Sequence, residues 1–115
     1  GIVLVDYKTS ELADPEKVAE RAKSDLKDGQ LGLYALAYRE TTGVLPARTE
    51  LHFVGPGTVG SGEVKPEHLE RARERVAKAA AGIRSAQFPA KPDQRNCGYC
   101  PYSRFCIHSA ARGPA

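Results

Sequence analysis

Three short groups of residues carry side chains whose types and spacing could do chemistry. The first is Asp6-Tyr7-Lys8, which closes an apolar run, Ile2-Val3-Leu4-Val5. Residues two apart on a strand share a face, so Asp6 and Lys8 emerge together. A carboxylate is a hard oxygen ligand suited to Mg²⁺ or Mn²⁺. An ammonium group beside it can orient a water or stabilise charge on a phosphate. Phosphodiester hydrolysis uses that combination, and so, with no chemistry at all, does an ordinary ion pair at a strand end. The second group is Gln30 and Tyr34, one helical turn apart on one face. Its plain alternative is a core tyrosine and a polar helix-end residue. The third group is Cys97, Cys100 and Cys106, spaced C-x2-C-x5-C.

The odd number of cysteines, with none elsewhere in the chain, excludes a secreted disulfide framework. Thiolates at this spacing suit zinc or an iron–sulfur cluster. Three ligands leave one position open. His108 could fill it locally as a Cys₃His zinc site, or a cysteine from outside this sequence could complete a four-thiolate cluster. Three inert cysteines is the plain reading. A thioredoxin-like redox pair lacks the strand-to-helix setting it needs.

The elements that must position these groups follow from pattern. Residues 2–8 read as a strand apolar on both faces, the signature of a central strand covered by helices. Asp14-Pro15-Glu16 marks a helix start, but Val18, Ala19, Ala22 and Leu26 are sparse anchors and suggest a short surface helix or a partly irregular excursion. Residues 29–42 are a stronger helix, with Leu31, Tyr34, Ala35 and Tyr38 at helical spacing and Gly43 as its stop. Residues 48–54 alternate as a strand with one covered face. Residues 58–64 make a turn or short hairpin return after Gly55-Pro56-Gly57. Residues 66–84 are the clearest helix, with Leu69, Ala72, Val76, Ala79, Ala80 and Ile83 forming one stripe. Phe88-Pro89-Ala90-Lys91-Pro92 is an extended linker. The expected fold class is α/β: a core over residues 1–92 and a cysteine-bearing tail over 93–115.

The chain of 115 residues carries a net charge of +3, unevenly spread. Residues 1–64 hold −3, residues 65–84 hold +3, and residues 85–115 hold +3. An acidic first half beside a basic second half suits carboxylate metal ligands next to a polyanion site, although a solvated helix face and a basic tail give the same pattern. No apolar run approaches the roughly 20 residues of a membrane helix, and no signal peptide is visible, so membrane and secreted classes are poor readings. The sequence contains no methionine and opens inside a strand pattern. It therefore reads as an internal or C-terminal piece, or a processed chain.

Taken in order, Val5-Asp6-Tyr7-Lys8-Thr9-Ser10, Gln30-Leu31-x-x-Tyr34-Ala35-Leu36-Ala37 and Cys97-x-x-Cys100-Pro101-Tyr102-x-x-x-Cys106 resemble the RecB-like nucleases of the PD-(D/E)xK superfamily. The resemblance is closest to the iron–sulfur branch, which includes AddB-type nuclease domains, CRISPR adaptation nucleases and nuclease domains joined to UvrD/Rep-type helicases. It covers about residues 2–109. It implies a partial restriction-endonuclease-like core, a central mixed sheet flanked by helices with a cysteine-cluster tail, hydrolysing DNA with Mg²⁺ or Mn²⁺. By this resemblance Asp6 is an acidic metal ligand, with the Tyr7 backbone carbonyl beside it. Lys8 is the catalytic lysine, and Gln30 and Tyr34 support the site and contact DNA. Cys97, Cys100 and Cys106 are ligands of a 4Fe–4S cluster, with Zn²⁺ as the alternative.

The basic helix 66–84, through Arg71, Arg75 and Lys78, and the tail arginines Arg95, Arg104 and Arg112 are candidates for DNA phosphates. Tyr99, Tyr102 and Phe105 could stack on bases or pack around a cluster. The implied partners are DNA and a helicase domain or subunit, with no membrane, in a cytoplasmic, nucleoid-associated setting. The family's earlier metal-binding aspartate, its earlier histidine and its first cluster cysteine have no candidates here. The expectation is therefore the C-terminal half of a nuclease domain, inactive alone, with an incomplete cluster and an open sheet edge.

Overall fold

The computed structural model describes residues 1–111. The chain divides into two compact units, Gly1–Ala80 and Ala81–Ala115. The first unit runs β1 (Val3–Lys8), α1 (Pro15–Asp28), α2 (Gln30–Thr42), β2 (Arg48–Phe53), β3 (Thr58–Glu63) and α3 (Pro66–Arg84), whose last turn belongs to the second unit. The sheet order is β1-β2-β3, with β1 parallel to β2 and β2 antiparallel to β3. A mixed sheet with helices on one face is the α/β architecture expected of a partial restriction-endonuclease-like core.

Register decides which residues share a face. Leu4, Asp6 and Lys8 lie beside Thr49, Leu51 and Phe53, and these lie beside Gly62, Gly60 and Thr58. This is the face the helices cover: α1 lies over β3 and β2, and α2 reaches β1. Asp14 caps α1 by accepting the Glu16 N–H at 3.0 Å, and Pro15 opens the helix. Val18, Ala22 and Leu26 then fall four apart and are all buried. The segment is a helix, but that spacing makes it the principal cover of the sheet rather than the short surface helix or partly irregular excursion its sparse anchors suggest. Close approach is possible because β3 carries Gly60 beneath it. A Cβ at Gly60 would stand 2.4 Å from the Val18 carbonyl oxygen. Leu31 and Ala35 of α2, with Leu51, Phe53, Val64 and Leu69, complete the core.

Two expectations change. The strand β1 is apolar on both faces over Val3–Val5, yet among the described residues it pairs with β2 alone, and Val5 and Tyr7 on its other face are 38% and 68% exposed. It is thus an edge strand here, not a central one. The stripe on α3 is buried only at Leu69 and Ala72, while Val76 and Ile83 are exposed. Polar contacts hold the helix instead: Arg71 pairs with Asp28 at 2.6 Å, Arg73 pairs with Glu40, and Arg75 donates to the Gly29 carbonyl at 3.3 Å.

In the second unit, α3 ends with Ala86 in the left-handed region at φ 55°, Gln87 N–H donating to Gly82 and Ala86 N–H to Ile83. This bond pair is a Schellman closure. A short helix α4 (Gln94–Tyr99) follows, capped by Asp93, which accepts the Asn96 N–H at 2.7 Å. No described helix is long and apolar enough to cross a membrane.

Candidate active site

At the C-terminal end of β1 the Lys8 ammonium stands 2.9 Å from Asp6 Oδ2 and donates to Gln30 Oε1 at 3.1 Å. Asp6 and Lys8 meet because they share a strand face. Gln30 joins them because it is the first residue of α2. Its position is fixed on both sides. The Gly29 N–H donates to the Asp25 carbonyl at 2.8 Å, and the Leu31 N–H donates to Asp25 Oδ2 at 3.0 Å. Arg75 closes the junction from α3 on the Gly29 carbonyl. Asp25 thus supplies the side-chain acceptor that the first turn of a helix lacks. A sequence pattern alone does not reveal this role, because Asp25 sits in the preceding helix.

Asp6 Oδ2 is buried and has no hydrogen bond among the described residues, although the Lys8 ammonium is close. The contact is one of charge, without hydrogen-bond alignment. A buried carboxylate oxygen in that state retains its capacity to ligate a cation. The neighbouring backbone adds a second oxygen. The Ile2 and Lys8 carbonyls accept from Ala47 and Val54 on the β2 side. Alternation along the strand turns the Tyr7 carbonyl to the free edge. These two oxygens fit a hard divalent cation as part of its shell, and Mg²⁺ completes such shells with waters and substrate oxygens.

Tyr34 lies one turn beyond Gln30, is 44% exposed, and makes no hydrogen bond among the described residues. It shares the Gln30 face without joining the Asp6–Lys8–Gln30 contacts. Of the candidate DNA contacts, Arg71 and Arg75 fasten α3 to the α1–α2 junction, each with further N–H groups to spare. Lys78 and Arg95 are exposed, Arg104 has a partner, and Arg112 lies outside the described residues.

In the second unit Cys97 lies on α4, Cys100 caps its end and Cys106 follows in a turn, all as partly exposed free thiols. Among the described residues, His108 included, no three His, Cys, Asp or Glu side chains are grouped to hold a metal ion. Tyr99, Tyr102 and Phe105 are exposed at 72% or more.

One cluster escaped the sequence reading. Arg48, Glu50 and His52 alternate on the open face of β2, with Glu50 accepting from Arg48 at 3.0 Å and from His52 at 2.7 Å. The Tyr7 ring meets the His52 ring edge-on at 5.6 Å. The His52 hydrogen bond first, and Arg48 second, hold the Glu50 carboxyl below its ordinary pKa. The Arg-x-Glu-x-His alternation is the signal that could have found it.

A strand-borne carboxylate and lysine, joined by the first residue of a covering helix, thus stand together at one end of an α/β core. The sequence pattern of the PD-(D/E)XK nuclease superfamily matches residues 1–107, and the chain belongs to that superfamily. No curated protein and no solved structure matches the chain.

Proposed function

We propose that this chain is part of a divalent-metal-dependent DNA exonuclease of the RecB/AddB-like kind, working with a helicase in DNA repair or recombination. The observation that carries the proposal is the Lys8 ammonium held between the Asp6 carboxylate and the Gln30 amide. Asp6 Oδ2 and the Tyr7 carbonyl would hold Mg²⁺ or Mn²⁺, which supplies polarisation of the phosphate and a more acidic bound water. Lys8 donates to a phosphate oxygen or orients the attacking water. Gln30 keeps that ammonium aimed when the substrate draws it from Asp6. Tyr34, exposed on the same helix face, contacts the strand being cut. Lys78, Arg104 and the outer N–H groups of Arg71 and Arg75 hold phosphates without reading sequence, which makes binding salt-sensitive.

Cys97, Cys100 and Cys106 enter the proposal as ligands of a 4Fe–4S cluster, with zinc as the alternative; iron and zinc content of anaerobically purified protein separates the two. The setting is cytoplasmic and nucleoid-associated, and the boundary between core and tail falls near residue 92. The nuclease test is degradation of single-stranded DNA by the intact polypeptide with Mg²⁺ or Mn²⁺, against Asp6→Ala. Activity that falls by at least about a hundredfold in the variant supports the reading, since one preorganised charged group at a reacting centre contributes on that scale. Equal activity in both proteins removes Asp6 from the chemistry. A non-catalytic DNA-binding module is the second reading, favoured by the absence among the described residues of any group of three His, Cys, Asp or Glu side chains placed to hold a metal ion.

A further inference from the structure

A cleft of about 630 Å³ opens at the other end of the sheet, where β2 begins and β3 ends. Arg48 of this cleft pairs with Val3, five residues before Lys8. At about 3.3 Å per residue that places it roughly 17 Å along the strand from the candidate active site. Lys23 of α1, Arg48, Ser61 and Glu63 of the two strands, Lys65 of the following loop and His68 of α3 line it. Register puts the Arg48 and Glu63 side chains in the Glu50 row, on the open face of the sheet, so the charges that the helical side brings to the cleft are Lys23 and Lys65. Arg48 is shared with Glu50, but neither the Lys23 nor the Lys65 ammonium has an ion-pair partner among the described residues. Two unneutralised ammonium groups brought to one concavity from separate elements concentrate positive potential there.

The directional donors point to the same chemistry. The Lys65 N–H donates to His68 Nδ1 at 3.0 Å. The neutral imidazole therefore carries its proton on Nε2 as a donor. Ser61 lines the cleft from β3, with its side chain in the Glu50 row on the open face. Ammonium groups and an imidazole N–H are a phosphate's complement. The volume lies within the usual range of small-ligand sites, about 300–1,000 Å³, so a nucleotide-sized group can enter.

We propose that this cleft binds a phosphate ester, carried either by a free nucleotide or by a nucleic-acid strand. This goes beyond the hydrolytic reading at Asp6 and does not depend on it.

The test is amide-shift titration of the chain, without divalent cation, using inorganic phosphate, a 5′-mononucleotide and a short single-stranded oligonucleotide in turn. Saturable shifts at Ser61, Gly62, Lys65 and His68 are expected. A Lys23→Gln/Lys65→Gln double variant should bind at least about tenfold more weakly with an unchanged Tm. For the oligonucleotide its log–log salt slope should fall by about 1.4, at about 0.7 per single-strand phosphate contact. Comparable affinity for mononucleotide and oligonucleotide assigns the site to free nucleotides; a clear preference for the oligonucleotide assigns it to a strand. Unmoved amides, non-saturating shifts, or unchanged binding by the double variant would overturn the proposal. Failure of the nuclease reading shows separately, as DNA degradation indifferent to Asp6→Ala while these amides still titrate.

Discussion

The candidate active site and the cysteine tail hold comparably suggestive residues, but only the first is assembled. Asp6, Lys8 and Gln30 come from two elements that the core holds together. Cys97, Cys100 and Cys106 lie along a six-residue helix and a turn whose large apolar side chains are exposed. A local run of hydrogen bonds sets the tail's backbone. It does not bring the thiols together, and no residue of α4 is buried. The comparison teaches that the grouping at β1 is a product of packing, while local hydrogen bonds alone leave the thiols ungrouped among the described residues.

Two glycine substitutions should separate the regions most sharply. A Cβ at Gly60 would stand 2.4 Å from a backbone oxygen of α1 and 2.9 Å from Val18 Cγ1. Neither strand nor helix can yield without opening the core, so Gly60→Ala should cost about 3 kcal/mol, the upper part of the overpacking range. Gly98, on α4, has nothing within 4 Å of an added Cβ. Gly98→Ala should leave global unfolding unchanged and raise local helicity slightly, since alanine gains up to about 1 kcal/mol over glycine in a helix. Denaturant melts and circular dichroism read both. A large loss at Gly98 would mean the tail is packed as tightly as the core, and the contrast would be wrong.

The next effect is smaller and lies between helices. Arg75→Ala removes the donor on the Gly29 carbonyl and should cost about 1–2 kcal/mol, since a part-buried acceptor loses a charged partner. Its sharper reading is the side-chain amide resonance of Gln30, which should move, while Lys78→Ala should leave it in place. An unmoved Gln30 resonance would show that Asp25 alone positions the start of α2.

How much of this was legible in the sequence follows the same division. The helices at 30–42 and 66–84 and the strand at 48–53 were readable because each carries its own period and its own stop. The Asp6–Lys8 face was readable because a strand fixes side-chain direction every second residue. The role of α1 was not, since three anchors look sparse until Gly60 lets them sit directly on the sheet. The Asp25–Gly29–Arg75 junction was not either, because it joins residues up to 46 positions apart through backbone groups. The α3 stripe misled for a physical reason: arginine contacts to α1 and α2 hold the helix without covering Val76 and Ile83. Thr49 is another such case, fully buried with its hydroxyl unpartnered among the described residues. Thr49→Val should be neutral or stabilise by up to about 1 kcal/mol in a melt, because an unsatisfied buried hydroxyl costs more than a methyl of the same shape.

The smallest expected effect is a pH dependence, and it belongs to the core alone. The hydrogen bond from His52, then that from Arg48, holds the Glu50 carboxyl below its ordinary value. The Arg71 hydrogen bond does the same for Asp28. A depressed carboxyl favours the folded state when ionised. That contribution is complete above the unfolded carboxylate pKa of about 4 and disappears as pH falls through the lowered folded value. Stability of the first unit should therefore decline from about pH 5 downward, and Glu50→Gln should flatten part of that slope while changing little near pH 7 beyond the lost bonds. Asp28→Asn should flatten it less, because that pair is half exposed and solvent screens it. The tail carries one acid, Asp93, which caps α4. Residue-resolved hydrogen exchange across pH 3–6 reads both units at once. An acid-induced opening that begins in α4 before β2 would reverse the assignment of the acid-sensitive groups to the core.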